Sequence, residues 1–88
     1  MAVLRRDRDG EGYSGCVVDA IKFDSDNPSG KIVGNKPIVG CCLKVGTMTA
    51  GTYSNRDWWM TTEITEIISE DDEKVRFKTG NSTYTFLR

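Results

Sequence analysis

Two adjacent tryptophans, Trp58 and Trp59, are the residues of this 88-residue chain whose type and position best suit a chemical role. The role is recognition, because an indole on a strand surface anchors protein interfaces, sugar rings or bases. Neighbouring strand residues face opposite ways, so one ring is expected in the core and the other outside. The phase of Met60 and Ile64 nominates Trp58 for the core and Trp59 for the outer face. Tyr53, Arg56 and Asp57 precede the pair and complete the expected binding set with Trp59.

Catalytic chemistry has little to work with. The chain contains no histidine, which removes Ser-His-Asp and Cys-His activation and the common zinc hydrolase sites. Its carboxylates concentrate at Asp24–Asp26 and Glu70–Glu73, in turns where solvent should keep them near ordinary acidity rather than poised as an acid–base pair. Asp24-Ser25-Asp26-Asn27 starts like a calcium loop but loses the register at Pro28 and Ser29. Ser29-Gly30-Lys31 lacks both the first glycine and the helix of a phosphate loop. Cys42 has Lys44 on its own side, which permits a thiolate without requiring one.

The cysteines, Cys16, Cys41 and Cys42, are odd in number and show no CxxC spacing, so no metal centre is expected. A bridge between Cys41 and Cys42 would need strained geometry. They read as small buried hydrophobes on strands in a reducing compartment. The segment MAVLRRDRDGEGYSG has basic residues with no apolar run behind them, and a cytoplasmic protein with no cofactor is the expectation. With 12 basic and 13 acidic residues the net charge is −1, so no surface-wide field draws nucleic acid or anionic lipid.

The elements that position these residues read as turn-separated strands in one domain. Residues 1–12 show no period and are expected as a flexible or loosely packed tail. Ser14–Phe23 alternates with Cys16, Val18 and Ala20 on one face. Asp24–Gly30 is a loop, Lys31–Val33 a short strand, and Ile38–Val45 a central strand with a bulge or close backbone approach at Gly40. Residues 46–57 read as a long polar loop delivering the chain to the tryptophans. From Asp57 the sequence DWWMTTEITEIISEDDEKVRFKTGNSTYTFLR gives three strands. A bulge or a strand end is expected near Thr65–Glu66, an acidic turn follows, and Gly80-Asn81 closes a hairpin with Gly80 suited to the positive φ of a II′ turn. Val75, Phe77 and Thr79 point inward; Lys74, Arg76 and Lys78 point outward, opposite Glu63 or Glu66. Five to six such strands predict an all-β antiparallel barrel, SH3-like first and OB-like second.

The strand PIVGCCLKVG followed by W-x-T-T-x-x-T-E-I and F-x-T-x-N-S-x-Y resembles a group of small uncharacterised bacterial proteins of integron cassettes, phages and other mobile elements. The likeness covers roughly residues 37–88. It implies the fold and a mobile-element origin and carries no reaction with it.

The functional expectation is therefore a non-catalytic interaction module that contacts a partner protein or a second copy through the 46–57 loop and the outer tryptophan. Two other readings stay open. A single-stranded nucleic-acid barrel would stack bases on Trp59 and Tyr53 and hold phosphates with Lys74, Arg76 and Lys78. An oligomeric enzyme would pool a site from several copies. No membrane contact is expected.

Overall fold

A computed structural model describes the backbone of residues 2–49 and 52–88, and the side chains among these except 47–49 and 52–57. Nine strands are present among the described residues: β1 (Ala2–Arg6), β2 (Gly12–Gly15), β3 (Val17–Lys22), β4 (Lys31–Gly34), β5 (Cys42–Thr49), β6 (Thr52–Met60), β7 (Ile64–Glu70), β8 (Lys74–Thr79) and β9 (Thr83–Leu87). They form a five-stranded sheet, β2-β1-β9-β8-β7, and a four-stranded sheet, β4-β3-β5-β6. All pairings are antiparallel. The protein is all-β and barrel-like, as its alternation predicts, although neither sheet closes on itself.

The inner faces of both sheets meet in one core. Leu4, Leu43, Val45, Phe77 and Phe86 are almost fully buried there. Phe77 and Tyr84, opposite each other in the β8–β9 register, stack with ring centroids 5.5 Å apart. Val18 packs against this core and Ala20 is fully buried, in line with the face read for Ser14–Phe23.

The sheets are tied at two corners. Gly15 of β2 lies so close to Gly46 of β5 that a Cβ there would collide with the Gly46 carbonyl. At the other corner the Ile64 N–H donates to the Cys41 carbonyl and the Gly40 N–H to the Ile64 carbonyl, each at 2.9 Å. Thr61, buried beside it, accepts the Leu43 N–H with its hydroxyl at 3.0 Å and donates to the Thr62 carbonyl at 2.8 Å.

Several local expectations hold. Val75, Phe77 and Thr79 are buried, while Lys74 and Lys78 are exposed and Arg76 half-buried on the opposite side. The β7–β8 register shifts between Ile64 and Glu66, where a bulge was expected, and again between Ile67 and Ser69. Two bulges in seven residues explain how Ile64 is buried, Ile67 half-buried and Ile68 exposed. Asp24 accepts the Asp26 and Asn27 N–H groups, so the 24–30 loop is built on an Asx turn.

Other expectations are corrected. Residues 2–6 are no tail: β1 lies between β2 and β9, with Leu4 fully buried. Its alternation, Ala2 and Leu4 in, Val3 and Arg5 out, is too short to stand out against the charged RRDRD run that follows. Ile38–Gly40 precedes β5 as a turn, with Gly40 at φ 90° rather than in a bulge. The segment read as a loop at 46–57 instead forms much of the β5–β6 hairpin, pairing Met48 with Tyr53 and Thr49 with Thr52. Thr47, Thr49 and Thr52 are strand formers, and cross-strand pairing takes up a stretch whose glycines, Ser54 and Asn55 read as turn residues. Gly80-Asn81 closes the β8–β9 hairpin, but Gly80 is not among the positive-φ glycines, so the turn is not type II′. The Thr79 hydroxyl receives the Ser82 N–H at 3.2 Å and stabilises it locally.

Candidate functional site

Trp58 and Trp59 do lie on opposite faces, with the assignment reversed from that read in the sequence. Trp59 pairs with Val45, is half-buried and packs against the core. Trp58 is 41% exposed on the outer face and Met60 38%. The inversion has a definite cause. β6 ends at Met60, and the turn at 61–63 resets the alternation before Ile64, so Ile64 does not report the phase of the tryptophans. The side chains of Tyr53, Arg56 and Asp57, the rest of the expected binding set, lie outside the described residues.

Around Trp58 the outer face of the four-stranded sheet is largely apolar. Cross-strand register places Ile32 of β4, Ile21 of β3 and Cys42 of β5 in one row. Met60 and Trp58 of β6 stand opposite Lys44 and Gly46 of β5. Ile32 is 61% exposed. Among the described residues two charges interrupt this surface, Asp19 and Lys44, directly opposite each other on the two central strands. Lys44 also sits over the Trp58 ring, its Nζ 4.6 Å from the centroid.

Trp59 faces one mouth of the barrel. A hollow of about 530 Å³ opens there between Arg6, Arg8, Trp59, Thr62, Asn81 and Tyr84, among others. The Arg6 guanidinium lies 5.3 Å above the Trp59 ring. Its edge is held by Asp9 through Nε–H to Oδ1 at 3.1 Å and Nη2–H to Oδ2 at 2.7 Å. These bonds, with the Glu11 N–H, lower the Asp9 carboxyl below its ordinary pKa. No feature of the sequence flags this mouth, because β1 looks like a charged tail.

The opposite mouth holds a hollow of about 580 Å³ lined by Ala2, Cys16, Val18, Lys36, Phe86 and Arg88, among others. Glu70 pairs with both of its cations, Lys36 at 3.8 Å and Arg88 at 2.9 Å. Cys16 is exposed there, contrary to the buried setting expected for it, while Cys41 is buried and Cys42 half-buried. The residue falls between β2 and β3, where the chain turns out of one sheet into the other. Burial, reinforced by Glu63 and Cys41, raises the Cys42 thiol, which disfavours the thiolate a nucleophile needs.

The cation stripe on β8 is occupied at its middle residue. Arg76 donates to Asp7 at 2.6 Å, and Lys78 stands opposite Glu66. Asp71 accepts the Glu73 and Lys74 N–H groups at 2.8 Å, and these bonds lower its pKa. Asp71 therefore departs from ordinary acidity in the direction away from an acid–base role. Among the described residues no group of three acidic or sulfur side chains is placed to hold a metal ion, and no helix is long and apolar enough to cross a membrane. Comparison with family models, with curated proteins and with solved structures finds no match to this chain.

Proposed function

We propose that this protein is a small, non-catalytic, cytoplasmic interaction module that associates with a second copy of itself through the outer face of its four-stranded sheet. The observation that carries the reading is the exposed Trp58 and Met60 at one edge of that face and Ile32 at the other. Large apolar side chains exposed together on one sheet face support an interaction surface. Charge favours a second copy as its occupant. Asp19 and Lys44 oppose each other at the centre, so a two-fold axis between them sets each acid over the other copy's lysine. A chain of this size also has a thin core, to which association adds buried area.

The face is small, three strand spacings wide and about five residues long, or roughly 15 Å by 17 Å. That is below a standard interface, so the self-association is weak, with a dissociation constant on the order of micromolar or higher. The three cysteines are free, which fits work in a reducing compartment. The sequence resemblance to cassette and phage proteins extends the proposal to a mobile-element protein that acts stoichiometrically. Sedimentation equilibrium from about 10 µM to about 1 mM tests the interface. A monomer–dimer equilibrium abolished by Met60→Lys is expected. A wild-type monomer throughout that range, or a dimer indifferent to Met60→Lys, refutes it.

A further inference from the structure

We infer that the mouth lined by Arg6, Arg8 and Trp59 is a second, separate binding site, for a nucleotide unit carrying a planar base and a phosphate. Three features of its geometry converge on that class. First, the Arg6 guanidinium lies over Trp59, its central carbon 5.3 Å from the ring centroid, and the two make a ready-made platform. Asp9 holds the guanidinium by its edge, so the plane is fixed and its outer face is the surface on which a base continues the stack. Bases use guanidinium planes in this way as readily as aromatic rings.

Second, Arg8 shares this mouth. Among the described residues it forms no ion pair within bonding distance, although its charge bears on Asp9. It projects from the β1–β2 turn, which is closed by the Gly10 N–H donating to the Arg6 carbonyl at 2.7 Å with Gly10 at φ 72°. A cation on such a built turn suits a phosphate beside the stacked base. Third, Asn81 and Ser82 at the hairpin rim and Thr62 opposite supply donors and acceptors for a base edge or a ribose. The hollow of about 530 Å³ lies within the range of small-molecule sites, which favour barrel mouths.

The opposite mouth does not share these properties, since Glu70 occupies its two cations. The site shares Trp59 with the nucleic-acid reading of the sequence but takes its cations from β1 and the turn after it rather than from β8, where Arg76 is held by Asp7. A free mononucleotide and a single strand present the same unit, and titration separates the two sources.

The experiment follows Trp59 fluorescence in a Trp58→Phe background, titrating adenosine monophosphate, a short single-stranded oligonucleotide and inorganic phosphate separately. Saturable quenching by the mononucleotide identifies a free nucleotide as sufficient. Quenching by the oligonucleotide alone identifies a strand. In either case Arg8→Ala should weaken binding about tenfold, with its unfolding midpoint unchanged as a check of folding, while Lys74→Ala on the other side has no effect. Oligonucleotide binding through one or two phosphate contacts should weaken about threefold to sevenfold between 50 and 200 mM salt. The inference is overturned by no response to either nucleotide probe at low salt. Binding indifferent to Arg8→Ala, or inorganic phosphate binding as tightly as the nucleotides, overturns it equally.

Discussion

The outer faces of the two sheets are built on opposite principles. On the five-stranded sheet the outward residues of β8 are cationic, and Asp7 links Arg76 at 2.6 Å to Thr85 at 2.8 Å across the strands. Burial pushes the Asp7 carboxyl up, and the hydrogen bonds from Arg76 and Thr85 more than offset it, leaving its pKa below the ordinary value. On the four-stranded sheet Trp58, Met60, Ile21 and Ile32 face out around the Asp19–Lys44 pair. Charges interlocked on one face leave that face content in water. Apolar side chains on the other gain by being covered. The contrast teaches that alternation marks which residues share a face and is silent on whether that face meets solvent or another protein.

The largest effect should come from separating the two tryptophans. Trp59→Ala removes a half-buried ring from the core and should destabilise the monomer by about 2–4 kcal/mol, somewhat less than a fully buried ring. Trp58→Ala, on the apolar outer face, should move monomer unfolding by no more than about 0.5 kcal/mol while weakening the dimer at least tenfold. Denaturant unfolding of both variants at low protein concentration reads this directly, and equal losses would erase the distinction between inner and outer faces.

Thr61→Val comes next. It deprives the buried Leu43 N–H of its hydroxyl acceptor and should cost about 1–3 kcal/mol, whereas Thr61→Ser should recover most of it. Equal stability of the valine and serine variants would show that the corner does not depend on the hydroxyl.

The charged face should respond to acid. Because the folded pKa of Asp7 is depressed, its contribution is present above the unfolded value of about 3.9 and lost as pH falls below it through the folded value. Asp7→Asn should therefore cost about 0.2–1 kcal/mol at neutral pH and flatten the stability profile below about pH 4. A profile unchanged by the substitution would mean that the Asp7 network adds nothing to the face. Salt gives the smallest and most discriminating change. Raising it to about 0.5 M should screen the Asp7–Arg76 pair and leave self-association through the apolar face almost unaltered; a dimer that dissociates with salt would make that face electrostatic instead.

Much of the fold was legible in the residues because local rules governed it. The alternation of Val75, Phe77 and Thr79, the turn at Gly80-Asn81 and the bulge after Ile64 follow from period, turn chemistry and conflict of phase. The candidate sites were less legible. The outer tryptophan was misassigned because the break at Thr61–Glu63 cannot be seen in a pattern that continues past it. The Arg6–Trp59 platform was invisible because its two halves lie on strands far apart in sequence.

By itself, then, the sequence determined an all-β antiparallel protein without the groups for histidine chemistry, since side-chain period and composition act within a few residues. Only the tertiary structure decided that β1 is an interior strand of its sheet, that the 46–57 segment belongs largely to a hairpin and that Trp59 turns inward. Those outcomes depend on which distant strands pair, and pairing energy is shared between segments that carry no mark of each other.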